Sequence, residues 1–202
     1  MGVTCVFPVP VVEGCTSNQV IDSLKARLGL LGADKAGSWF VECEAFHSVK
    51  QNQENVAKMF YLMHSSECPS LSFSLLENDT CVVAENSINS IISKLSDFYL
   101  PRKGSKTEAK GSRFTLGDFI IKIGTITQAS SFKGVVAEIH YAPCSDPLQC
   151  WCILDEFVRD ILAVNVTLPS SPKTLVDKKS NLFSAADTIV QYLEIIKNTK
   201  RV

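Results

Sequence analysis

The chain has 202 residues, of which 46% are hydrophobic and 20% charged, with 20 lysines and arginines against 21 aspartates and glutamates. A net charge of −1 raises no overall field for nucleic acid, and no apolar run approaches the roughly 18 residues of a membrane span. A soluble, single globular domain over residues 1–202 is expected, with a core of ordinary size.

In chain order, residues 3–7 (VTCVF) predict a short strand that Pro8 and Pro10 end. Val20, Ile21, Leu24, Leu28 and Leu31 then recur at helical spacing and predict a helix over 17–31, with Ser17 as N-cap and Gly32 as its left-handed terminator. Residues 38–47 and 56–64 carry aromatic and β-branched strand content, and the second is apolar on both faces from Met59 to Met63. Leu71, Phe73 and Leu75 alternate with serines, and Asn78-Asp79 makes a hairpin turn into 80–85. A second helix is expected over 87–99, striped by Ile88, Ile91, Ile92, Leu95 and Phe98.

Residues 101–113 are polar, glycine-bearing and basic, and predict a loop. Strands follow near 113–116, 118–128 and 134–142; in the last, Val135, Ala137, Ile139 and Tyr141 face one way and Glu138 and His140 the other. Asp146-Pro147 supplies N-cap and first residue for a helix over 147–163. Ser184-Ala-Ala-Asp187 opens the last helix, after a loop bearing Pro169, Pro172 and Lys178-Lys179. Short turns between successive strands favour antiparallel pairing. The expected fold is α+β: an antiparallel, eight-strand barrel-like or highly curved sheet with about four flanking helices.

The N-terminus has neither the basic start nor the apolar core of a secretory signal, and Val6 stands where a myristoylation signal needs Ser or Thr. The two sequons at Asn78 and Asn165 are then expected to stay unmodified. The eight cysteines are expected as small buried apolar residues in a reducing compartment.

The strongest chemical candidate is Cys144-x5-Cys150-x-Cys152 with His140 just upstream. Zinc wants paired C-x2–4-C knuckles, and here the spacing is wrong and no second knuckle exists. Cys150 and Cys152 also diverge by roughly 200° around a helix. No nucleophile turn accompanies His47, His64 or His140, and both the P-loop and the dinucleotide fingerprint are absent. Glu42 and Glu44 share a strand face as solvated carboxylates rather than a catalytic pair. No cofactor, metal or catalytic residue is assigned, and no enzyme activity is expected.

The charge is uneven: residues 1–100 hold six basic and eleven acidic side chains, and 101–202 hold fourteen and ten. Arg102, Lys103, Lys106, Lys110 and Arg113 gather against the single acid Glu108 as a candidate contact loop for phosphate or an acidic partner. The loop lacks the aromatics of a single-strand binder, so a plain solvated loop is the simpler reading.

Several segments together resemble the Mediator complex subunit 20 family: MGVTCV at 1–6, EAFHS at 44–48, FYLMHSSECP at 60–69 and FSLLENDTCVVAE at 73–85. The likeness continues through GSRFTLGDFIIKIGTITQ at 111–128, GVVAEIHYAPC at 134–144, the CW-x-x-L-x-EF helix at 150–157 and AADTIVQYLEII at 185–196. The pattern departs from the family in 48–56 and 164–183.

The resemblance implies an eight-strand barrel-like subunit of the Mediator head module. It also implies a heterodimer with subunit 18, a tether through subunit 8 to other head subunits, and contact with TATA-binding protein. A nuclear, non-enzymatic coactivator for RNA polymerase II is the implied role, with no membrane and no sequence-specific nucleic acid. The partner interface expected from the residues is the two-faced strand with Phe119, Ile121, Lys122 and Ile123 and the aromatic helix with Trp151, because one face of that strand needs a cover. A small-ligand-binding barrel and a cysteine-dependent hydrolase are the rival readings.

Overall fold

The computed structural model describes residues 2–11, 14–49, 59–76, 80–162 and 182–199. The first half forms β1 (Val3–Val9), α1 (Ser17–Leu30), β2 (Asp34–Ser48), β3 (Met59–Ser65), β4 (Leu71–Leu76), β5 (Cys81–Glu85) and α2 (Ser87–Lys94). The second half forms β6 (Tyr99–Pro101), β7 (Thr107–Leu116), β8 (Phe119–Gln128), β9 (Ser131–Tyr141), α3 (Pro147–Glu156) and α4 (Ala185–Thr199). A π-helical turn, Phe157–Ile161, prolongs α3.

All the ladders are antiparallel, and eight strands run in the order β1-β9-β8-β7-β2-β3-β4-β5, with the three-residue β6 added on β2. The fold is α+β, as the pattern predicted. The sheet curls as a half-barrel around α4. Val6 of β1 and Phe73 and Leu75 of β4, from opposite ends of the strand order, meet Ile189, Tyr192, Leu193 and Ile196 in one core.

Alternation explains how each strand serves two cores. On β8, Ile121 and Ile123 point to the outer face, where α1 (Ile21, Leu24, Leu28) and α3 with its π turn (Leu154, Phe157, Val158) cover them. On the same strand Ile126 points inward to the α4 side. A third, smaller cluster packs Phe46, Phe60 and Leu62 under Ile88 and Ile92 of α2 and Tyr99 of β6.

Several boundaries move for identifiable reasons. Strand β1 runs on through Pro8 to Val9, pairing Pro8 with Val136; as the end strand of the sheet it tolerates the missing N–H. Thr16, not Ser17, caps α1, in a reciprocal box with Gln19, and Gly32 terminates it at φ 81°. Helix α2 stops at Lys94 because the chain turns back: Phe98 C=O accepts from Val49 N–H, and Tyr99–Pro101 joins β2.

The expected basic loop is mostly strand, since β7 starts at Thr107 and pairs with both β2 and β8. Polar composition hid it, because Glu108 and Lys110 are the solvent-side alternation of a strand whose Thr107 and Ala109 are buried. Gly111 and Gly124 lie opposite each other in the β7–β8 ladder; a Cβ on Gly111 would meet Ile123 O at 2.0 Å. The Asn78-Asp79 turn, residues 56–58 and the loop with Pro169, Pro172, Lys178 and Lys179 lie outside the described residues.

Candidate functional site

The inner face carries a charged cluster in an otherwise apolar core. Lys122 and Glu138 are register partners in the β8–β9 ladder, both on the inner side. Lys122 Nζ donates to Glu138 Oε1 at 2.7 Å, and the Tyr192 hydroxyl of α4 donates to Glu138 Oε2 at 2.6 Å. Glu67, in the turn between β3 and β4, stands 3.4 Å from Lys122 and 3.9 Å from Arg113.

Both carboxylate oxygens of Glu138 are thus occupied, as a buried charge requires. Tyr192 is fully buried, and its hydroxyl is held well above the ordinary tyrosine range, first by burial and then by the Glu138 charge. It stays a donor. The cluster fastens α4 inside the half-barrel.

A second tie runs along the sheet edge. The Gln191 side chain accepts from Val6 N–H at 2.8 Å and donates to Thr4 C=O at 3.0 Å. These are outward-facing backbone groups of the end strand β1, so the amide acts as a substitute strand and blocks that edge. Beside it, Thr4 Oγ1 and His140 Nδ1 are 3.0 Å apart. His140 is shifted below its ordinary pKa, chiefly by burial, against the opposing pull of Glu138.

The space at this mouth is about 260 Å³, lined by Thr4, Glu67, Lys122, Glu138, His140 and Ser184 among others. Helix α4 fills the rest of the interior, where a ligand would sit in an open barrel.

The other end of the sheet is different. Val82 and Val83 of β5, on opposite faces, are 45% and 49% exposed. Helix α2 has no fully buried residue, and Ile91, Leu95, Phe98 and Leu100 stand exposed beside it. Between α2 and β2–β3 runs a groove of about 900 Å³, with Phe40, Phe46 and Leu62 against Glu42, Glu44 and His64. Apolar surface of this kind, rimmed by polar groups, is the type that protein contacts, membrane contacts and ligand grooves use.

Among the described residues no group of three or more His, Cys, Asp or Glu side chains is placed to hold a metal. Cys5 and Cys150 are each pushed up to about 12, first by burial, so both are thiols at neutral pH. Ser72, fully buried, donates to Asn86 Oδ1 at 2.9 Å, which makes its hydroxyl the acceptor in the contact with His64 at 3.2 Å. A nucleophilic serine needs the reverse polarity.

The family model described as "TATA-binding related factor (TRF) of subunit 20 of Mediator complex" matches residues 1–197. The chain belongs to the Mediator subunit 20 family. It is 36% identical over 203 residues to subunit 20 of Gallus gallus, covering 100% of this chain and 95% of that one. It is 35% identical over 204 residues to the Homo sapiens protein, covering 100% and 95%, and 35% identical over 219 residues to that of Drosophila melanogaster, covering 100% and 87%.

Among solved structures, a chain of the Schizosaccharomyces pombe Mediator head module aligns at 12% identity and TM-score 0.42, over 83% of this chain and 96% of that one. The PH1012 protein of Pyrococcus horikoshii aligns at 14% and 0.46, over 82% and 92%. The assignment to the subunit 20 family rests on the sequence relatives.

Within this subunit 20 framework, the residues singled out from the sequence do not form one surface. Ile121 and Ile123 are fully buried under α1 and α3, and Lys122 is 4% exposed in the cluster with Glu138. The cover their strand requires comes from the chain's own helices. Phe119 and Trp151 are half-buried, and Phe119 stacks on Phe157 at 4.1 Å.

The five basic residues also separate. Arg102 and Lys103 are exposed in the turn after β6, Lys106 pairs with Glu42 at 3.6 Å and Lys110 with Glu108 at 2.7 Å. Arg113 turns to the inner side toward Glu67, opposite to Lys110. His140 and Cys144 part likewise, His140 lining the inner cavity and Cys144 packing against the outer core.

Sequence reasoning missed Glu138, Tyr192, Gln191 and the α2–β5 surface. The available signal was a lone lysine and a lone glutamate in adjacent apolar strands, at positions a short hairpin sets side by side.

Proposed function

We propose that the chain is a non-enzymatic head-module subunit of Mediator that acts in the nucleus as a docking piece for RNA polymerase II transcription. In this reading it forms a heterodimer with subunit 18 and is tethered through subunit 8. Contact with TATA-binding protein belongs to the same reading.

The observation that carries the docking reading is the asymmetry of the half-barrel. The β1 edge is blocked by Gln191, whereas the β5 end and α2 present Val82, Val83, Ile91 and Phe98 to solvent. Stable protein pairs bury about 800 Å² per partner around such apolar anchors. The non-enzymatic reading is supported by the Cys5 thiol, held protonated by burial, and by a barrel interior occupied by α4.

Affinity capture of the tagged chain from nuclear extract, followed by mass spectrometry, tests the assignment. Recovery of subunits 18 and 8 with other head subunits is the expected outcome. A chain that returns alone, or with a different assembly, contradicts it. Leu30→Asp, on the exposed end of α1, is expected to leave recovery of subunit 18 intact, while Phe98→Asp is expected to reduce it.

A further inference from the structure

The C-terminal turn of β9 leads into α3 through Cys144, Ser145 and Asp146. There the Cys144 and Cys150 thiols both donate to one backbone oxygen, Asp146 C=O, each at 3.3 Å. The shared acceptor brings both sulfurs to the same side of the turn. Cys150 is 1% exposed, whereas Cys144 is half-buried and reachable. Cys152, two residues on, is exposed on a different side of α3.

The shared acceptor is crowded. Asp146 C=O also accepts from Gln149 N–H at 3.2 Å, so at least three donors face the two lone pairs of one carbonyl. Removing both S–H groups leaves that oxygen still satisfied by the helical N–H, so loss of the thiol protons orphans no buried acceptor.

We propose that Cys144 and Cys150 form a dithiol modification site that takes hydroperoxide-class oxidants and closes into an intramolecular disulfide. Cys144, as thiolate, attacks the O–O bond of hydrogen peroxide; an S–O bond forms, the O–O bond breaks, and the departing hydroxide takes up the proton that Cys144 released and leaves as water. The Cys150 sulfur then displaces the hydroxyl from Cys144. The S–S bond forms, the S–O bond breaks, and the Cys150 proton departs with the hydroxyl as water. Two thiols are oxidised and one peroxide is reduced to two waters.

The position gives closure a structural consequence. Asp146 Oδ1 caps α3 through Leu148 N–H at 3.0 Å, and Ser145 C=O accepts from Phe183 N–H at 2.8 Å at the entry to α4. A bridge across Cys144 and Cys150 locks the turn from which the outer helix α3 and the inner helix α4 both hang.

Peptide mapping of the full-length chain after treatment with stoichiometric hydrogen peroxide tests this. Cleavage before Asp146 separates Cys144 from Cys150, and chymotryptic cleavage after Trp151 separates Cys150 from Cys152, so the wild-type protein alone identifies the bridge. The expected result is a Cys144–Cys150 linkage, two hydrogens lighter than the reduced pair and released by dithiothreitol. Cys152→Ser is expected to form it as the wild type does, and Cys150→Ser to accumulate a dimedone-reactive sulfenic acid on Cys144. Bridging to Cys152, or oxidation of Cys144 to sulfinic acid without any bridge, overturns the proposal.

Discussion

Lys122 and Glu138 face each other across the β8–β9 ladder with their charged ends 2.7 Å apart, both almost wholly buried. Two opposite charges there are not a gain over a well-packed apolar pair, because desolvation offsets their attraction. What they add is a fixed acceptor for Tyr192, and hence one defined seat for α4 inside the curled sheet.

Removing one member of that cluster is therefore worse than removing all of it. Lys122→Met strands the Glu138 carboxylate and is expected to cost about 3–5 kcal/mol; Tyr192→Phe deletes one donor and costs about 1–3 kcal/mol. The triple replacement Lys122→Met, Glu138→Leu, Tyr192→Phe removes the buried carboxylate together with both of its donors and is expected to recover most of the loss. Urea unfolding of the four proteins decides it: a triple variant less stable than Lys122→Met contradicts the account.

His140 makes stability depend on pH in a definite direction. Its folded pKa lies below the ordinary 6.5, because burial outweighs the opposing pull of Glu138. The unfolded chain then takes up the proton first, so its contribution is complete above the ordinary value and is lost as pH falls toward the folded one. Between roughly pH 7 and pH 5, the wild type is expected to lose more stability than His140→Asn does. Parallel curves for the two proteins would remove this role.

The Gly111–Gly124 pair predicts an unusually costly methyl group. A Cβ at either position would meet backbone oxygen at 2.0 Å, and backbone cannot rotate away as a side chain can. Gly111→Ala is expected to destabilise by about 1–3 kcal/mol or more, like other overpacked sites. A neutral Gly111→Ala in thermal unfolding would mean that the two strands stand further apart.

Gln191→Ala uncovers two backbone groups of the end strand β1 at once. About 1–3 kcal/mol of stability is expected to go, together with a rise in concentration-dependent self-association, since an open edge templates further strands. Analytical ultracentrifugation over a concentration series reads this; a variant that sediments as the wild type does throughout the series argues that the edge is protected some other way.

Much of the fold was legible because its signals are local. Asp146-Pro147 opens α3 as expected, with Asp146 capping Leu148 N–H, and Ser184 with Asp187 opens α4, Ser184 N–H donating to Asp187 Oδ2 at 2.8 Å. The misreadings came where long-range pairing overrode composition. β7 looks like a basic loop until its partners β2 and β8 are known, and α2 gives up its last turn to the β6–β2 ladder. Ile121 and Ile123 were expected to need a partner's cover, because nothing in 119–126 tells that α1 and α3 return to that face. The partner of Glu138 was hidden in the same way: Tyr192 is 54 residues away.

Affinity for purified subunit 18, titrated against the wild type, the Ile91→Asp/Phe98→Asp double variant and a Leu30→Asp control, is the most direct test of docking through the α2–β5 end. Ile91, Phe98 and Leu30 are all exposed, so each substitution leaves the core intact. The double variant is expected to bind weaker by about 2–4 kcal/mol, roughly thirty- to a thousand-fold, as hot-spot losses do, with Leu30→Asp unchanged. Equal affinities for all three proteins would contradict the claim.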